Sequence, residues 1–136
     1  MGYIWNPNLE TGHAKIDEQH RQLFNTLNKM ATAFLEERGG EVVLDTLAFL
    51  TDYTVMHFET EENLMTKHNY PDFIAHKQCH GYFKDIVSDL TKRLHDEGPS
   101  EDLVVTITAV IGDWLISHIR VDDIKMASFI NSNLSE

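Results

Sequence analysis

The apolar positions of this chain recur by threes and fours over four separate stretches, a spacing that predicts α-helices with one buried seam each. The first seam reads Ile16, His20, Leu23, Leu27, Met30 and Phe34. Asp17 offers an N-cap for that helix, and Gly39-Gly40 offers its stop. The second helix, about 41–67, carries Val43, Leu47, Leu50, Thr54, His57, Glu61 and Leu64. Pro71 then falls where the first turn of a third helix would begin. The seam of that helix is Phe73, His76, His80, Phe83, Val87, Leu90 and Leu94. Gly98-Pro99-Ser100 breaks the chain, with Ser100 as the next N-cap, and the fourth seam is Val104, Ile107, Ile111, Trp114 and His118. Helical character continues from Ile119 to Ile130 with a less regular pattern. No stretch alternates with the period of a strand. The expected fold is all-α, an up-down-up-down four-helix bundle over 16–136 behind an N-terminal arm over 1–15, with Tyr3, Ile4 and Trp5 as the arm's anchors.

The same seams place polar residues where a bundle should be apolar. His20, His57, Glu61, His76, His80 and His118 all sit at core positions. A buried ionisable group without a partner costs several kcal/mol or gives up its charge. Six of them must therefore satisfy one another or share a cation. Their places along the helices allow this: His20 is near the start of the first, His57 and Glu61 near the end of the second, His76 and His80 near the start of the third, and His118 near the end of the fourth. In an up-down-up-down bundle those four places share one end.

Such a layer suits zinc, copper or iron, because calcium and magnesium prefer shells of oxygen alone. Five imidazoles exceed what one tetrahedral zinc can use, so two metals are the economical expectation. A second carboxylate is expected near His118. Ideal helix geometry favours Asp122, four residues on; Asp123, five residues on, would need the helix to bend or widen.

Composition narrows the partners. With 136 residues the chain is the size of one domain with a proper core. A net charge of -11 argues against nucleic acid and anionic membrane, both of which select a basic footprint. The single cysteine, Cys79, permits no intrachain disulfide, which fits a reducing compartment. No signal segment opens the chain, and no apolar run of the length of a membrane span is evident, so a cytoplasmic protein without membrane contact is expected. The other histidines read as solvated: His13 in the arm, His68 in a turn and His95 at a helix end. Cys79 reads as a packing thiol, and Glu59 and Glu62 as solvated charges.

Several motifs together resemble the hemerythrins. They are His20 in IDEQH, the HFxxEE from His57 to Glu62, the HxxxH of His76 and His80, and the HIxxxD from His118 to Asp123. Trp5, Thr11-Gly12 and Trp114-Leu115 are similar to the bacterial branch in particular. The resemblance spans nearly the whole chain and implies that Asp123, rather than Asp122, is the second carboxylate. It further implies two irons bridged by Glu61, Asp123 and an oxo or hydroxo group, with His76, His80 and His118 on one iron and His20 and His57 on the other. One position then stays open on the iron with two histidines, and dioxygen would bind there reversibly. Phe24, Phe58, Leu115 and Ile119 are the candidates for the apolar pocket that keeps water from it. A diiron oxidase or peroxidase on the same bundle is the competing reading. Such sites draw on Glu-x-x-His from two helices, and the only such spacing here is Glu10 to His13, in the arm. The expectation is therefore a non-enzymatic oxygen binder, monomeric, serving storage, delivery or sensing. It would be either free-standing or the oxygen-sensing domain of a chemotaxis receptor, in which case the arm is the natural transmitter.

Overall fold

The computed structural model describes residues 5–35 and 40–134. After a single 3-10 turn at Pro7–Leu9 come α1 (Ala14–Leu35), α2 (Gly40–Lys67), α3 (Phe73–Glu97), α4 (Glu101–His118) and α5 (Ile124–Leu134). A π-helical turn, Ile119–Asp123, joins α4 to α5. No strand occurs among the described residues. Helix α1 packs on α2 and α4, α2 on α3, and α3 on α4, which makes α1 to α4 a four-helix bundle.

The seams are buried as their spacing requires. Leu23, Leu27, Leu47, Leu50, Phe83 and Ile107 meet in one apolar core that fills most of the bundle. A second, smaller core of Ile16, Met65, Tyr70, Met126 and Ile130 lies beneath α5. The buried polar layer separates the two. Tyr3 and Ile4, two of the expected anchors, lie outside the described residues, as do the side chain of Phe34 and the Gly39 stop.

The connections explain why the helices end where they do. Ser100 caps α4 as its sequence suggests, its Oγ accepting from the Leu103 N–H at 3.2 Å. Gly98, at φ 78°, takes the left-handed conformation that ends α3 and donates its N–H to Leu94. Helix α2 also ends at a residue of positive φ, Asn69 at 56°, but with a wider bond: Tyr70 N–H reaches the Met65 carbonyl at 2.9 Å, and the two side chains share the second core. Pro71 lies in the following turn, two residues before α3, and not in the helix's first turn.

The start of α1 also differs from the sequence expectation. The helix begins at Ala14, so Asp17 is inside its first turn. His13 caps it instead, Nδ1 accepting from the Ile16 N–H at 3.4 Å, and is half-buried rather than solvated. The Asp17 carboxylate turns back to clamp the arm. It accepts from the Thr11 N–H and hydroxyl, both at 2.8 Å, and from the Gly12 N–H at 3.3 Å. Gly12 has φ 83°, and an added Cβ would meet Asn131 Nδ2 at 3.2 Å, because Asn131 donates to the Thr11 carbonyl from α5. Asp17→Ala is expected to cost about 1–3 kcal/mol, since three donors lose one buried acceptor. The check is a chemical melt with hydrogen exchange at Thr11 and Gly12; unchanged protection there would refute the clamp.

One expectation about membranes is corrected. The continuous run Glu101–Ser132 has 32 residues and a mean hydropathy of 1.5 in its most apolar window, long and apolar enough by itself to cross a membrane. Half of that window is buried inside the bundle. The buried half lines the two cores, as in the amphipathic helix of a folded domain, while Val105, Val110 and Val121 stay exposed.

Candidate metal centre

All seven residues expected at the centre converge. His20, Glu61, His80 and Asp123 are 0 % exposed, and His57, His76 and His118 are nearly as deeply buried. The residues come from the start of α1, the end of α2, the start of α3 and the junction of α4 with α5, so the antiparallel order of the helices delivers them to one layer. Glu61 sits between the two halves. One of its oxygens lies 3.0 Å from His80 Nε2 and 3.4 Å from His76 Nε2; the other lies 3.1 Å from His57 Nε2 and 3.5 Å from His20 Nε2. Asp123 mirrors it, with Oδ1 at 3.0 Å from His76 and 3.1 Å from His118, and Oδ2 at 2.9 Å from His20. Donor atoms fall into two groups, Glu61–His76–His80–His118–Asp123 and His20–His57–Glu61–Asp123, each within 4.8 Å. The two carboxylates are common to both.

The π-helical turn is what brings Asp123 into this layer. Ile124 donates its N–H to the Ile119 carbonyl, five residues back, which widens the helix by one residue. Asp122 is not left idle by this. Its Oδ2 lies 2.9 Å from His118 Nδ1, while Nε2 of the same ring faces Asp123. The i+4 and i+5 aspartates thus hold opposite nitrogens of one imidazole.

Similar outer contacts hold two other rings. Gln19 Oε1 lies 2.7 Å from His57 Nδ1, and Glu62 Oε2 lies 2.8 Å from His80 Nδ1. Glu62 is therefore not a solvated charge, although Glu59 is exposed as expected. Carboxylate and amide oxygens only accept, so each fixes an N–H at Nδ1 and leaves Nε2 to point inward. The rings are also stacked. Phe58 lies flat on His80, with centroids 3.8 Å apart, and Trp114 on His118 at 4.5 Å. Trp5 of the arm packs edge-on against Phe24 at 5.5 Å and covers His20 at 6.2 Å. Phe24, Phe58, Leu115 and Ile119 are all buried in the core that abuts this layer. Glu62→Gln keeps the shape but weakens the charge on His80 Nδ1, and about a 10-fold loss of metal affinity is expected, read by competition with a chelator. Equal affinity would refute the role of Glu62.

Electrostatics couple the imidazoles tightly to the two buried carboxylates. Burial alone would push His20, His76 and His118 down. Contact with Asp123 and Glu61 overcomes it and raises His20 and His76 to about 9; Asp123, with Asp122 and Glu61, raises His118 to about 10. Burial works to raise Glu61, yet the surrounding imidazoles hold it well below the usual carboxylate range. Asp123 is raised by burial and by Glu61, but His118 and His20 hold it far down in turn. Even so, His20 Nε2, Glu61 Oε2 and both Asp123 oxygens are buried without a well-directed hydrogen bond. His20 Nε2 lies 3.5 Å from Glu61 Oε2 and 2.9 Å from Asp123 Oδ2, close enough for these atoms to share a cation. Imidazole nitrogens and carboxylate oxygens in that arrangement fit two first-row transition metals.

The remaining expectations fall outside this layer. His68 is half-buried in its turn and His95 is exposed. Cys79 is half-buried and approaches the outer side of His118 together with Asp122.

A four-helix bundle whose helix ends enclose five histidines and two shared carboxylates defines a protein built around a paired-cation centre. The comparisons with known proteins say which. Residues 11–130 match the family described as the hemerythrin HHE cation binding domain. The chain is 32% identical over 136 residues to the bacteriohemerythrin of Stenotrophomonas maltophilia, covering 98% of this chain and 84% of that one. It is 40% identical over 111 residues to the bacteriohemerythrin of Methylococcus capsulatus, covering 78% and 79%. A solved wild-type hemerythrin structure superimposes with a TM-score of 0.80 at 32% identity, over 94% of this chain and 97% of that one. This chain belongs to the hemerythrin family.

Proposed function

We propose that the protein is a single hemerythrin-like domain that binds dioxygen reversibly at a diiron centre. The observation that carries the proposal is the sharing of Glu61 and Asp123 between two groups of histidine donors. His76, His80 and His118 would hold one iron, and His20 and His57 the other. When bound, the two irons would supply the electrons that reversible oxygen binding draws on, together with one open coordination position. Hemerythrins are oxygen-binding proteins rather than enzymes, and this donor set agrees: it is histidine-rich, where oxidases of similar bundles rely on carboxylates.

The residues of this chain account for the rest. Gln19, Glu62 and Asp122 hold the Nδ1 protons of His57, His80 and His118 and keep each Nε2 directed inward. Phe24, Phe58, Leu115 and Ile119 exclude water, which would otherwise promote irreversible oxidation. The arm, through Trp5 over His20 and Thr11 on Asp17, links the two-histidine side to the surface. That link favours sensing over simple storage or delivery, and Asp17→Ala distinguishes them. A sensor should show altered oxygen affinity or autoxidation when the arm is released, whereas a store should show neither.

The test of the main reading is optical. The reduced protein with about two irons per chain should develop a visible charge-transfer band on addition of oxygen and lose it under vacuum. Consumption of a co-substrate with turnover would overturn the proposal in favour of an oxidase.

A further inference from the structure

A groove of about 550 Å3 lies between α2 and α3, outside the metal layer. That volume is typical of sites for small molecules. It exists because the facing positions are small: Ala48 and Thr51 on α2, Ser88 and Thr91 on α3. The threonines of the lining do not present hydroxyls. Thr51, Thr54 and Thr91 donate them to the carbonyls of Leu47, Leu50 and Val87 at 2.8, 2.6 and 2.8 Å. Their methyl groups remain for the groove, above a floor of buried Phe83 and Val87.

The rim is charged in the opposite sense to the rest of the molecule. Lys84 and Lys92 lie eight residues apart on α3 with His95 beside them, and Asp52 is the single acid of the lining. Among the described residues neither lysine is engaged in an ion pair or hydrogen bond. In a chain of net charge -11, two unengaged ammonium groups along the α3 wall of an apolar trough form a local site for an anion with an apolar body.

We propose that this groove binds an apolar monocarboxylate, its hydrocarbon part against the threonine methyls and Phe83 and its carboxylate between Lys84 and Lys92. The full chain, titrated calorimetrically with decanoate below its micelle concentration, should bind one equivalent. Decan-1-ol should bind at least tenfold more weakly, because it keeps the chain and lacks the charge. Lys84→Gln with Lys92→Gln, both exposed, should weaken decanoate binding at least tenfold and leave the helical circular dichroism unchanged. Ala48→Leu, which fills the trough from a helix position, should abolish binding. Non-saturable heats, equal affinity for the alcohol, or full binding by either variant would overturn the assignment.

Discussion

Asp123→Ala should empty the centre of both irons. Its carboxylate touches His20, His76 and His118, which come from three different helices, and it belongs to both donor groups. Removing one partner of a buried ionic cluster leaves the others uncompensated, at about 3–5 kcal/mol. The metal-free variant should therefore also melt lower, by roughly 10 °C for a domain of this size. Asp122→Ala is the control, since it leaves every inward-facing oxygen in place and removes only the outer contact to His118. Metal analysis and a thermal melt decide the matter. An Asp123→Ala protein that keeps two irons per chain would show that Asp123 is not shared.

The second large effect concerns pH, and its sign changes with metal. In the metal-free protein His20, His76 and His118 lie above their ordinary value of 6.5, at about 9, 9 and 10. Their contribution to stability is complete below about pH 6.5 and is lost as pH rises through 9 to 10. Glu61 and Asp123 lie below their ordinary values of 4.5 and 3.8. Their contribution is present above those values and is lost as pH falls through the depressed ones. Stability without metal should thus be greatest between about pH 4.5 and 6.5 and decline towards pH 10. Metal requires the inward nitrogens to be free of protons, so loading at pH 7 should release about three protons per chain. Chemical melts across this range and a proton-release titration check both signs. Stability that rises up to pH 9, or loading without proton release, would contradict the arrangement.

What could be read in the sequence was whatever a single periodicity reports. His20, His57, Glu61, His76, His80 and His118 stood out because each occupies a seam position that a leucine would otherwise fill, and all six are buried together. Partners that lie off the seams gave no such signal. Glu62 follows Glu61 by one residue and so points partly outward, and only the approach of α3 gives it His80. Gln19 reaches His57 across 38 residues. A sequence signal for such outer partners does exist, a polar residue adjacent to a ligand on a neighbouring helix, but it is too common to be selective. The arm failed for another reason. Asp17 fits a helix cap by residue type, yet His13 took that place and freed Asp17 for Thr11 and Gly12. Helix spacing alone favoured Asp122 over Asp123. The π turn brings both to His118, one on each nitrogen.

That turn has a consequence for how this chain can vary in length. It amounts to one residue inserted into an otherwise regular helix, and each residue of an α-helix turns the chain by about 100°. Deleting Val121 would restore regular winding and carry Asp123 into the place Asp122 now holds, on the outer nitrogen of His118. The same rotation would swing Met126 and Ile130 out of the second core, away from Ile16, Met65 and Tyr70. Placement of one metal-facing carboxylate and docking of the last helix are thus fixed by the same single residue of chain length. Substitutions in this segment can be accommodated one at a time, but an indel changes both at once.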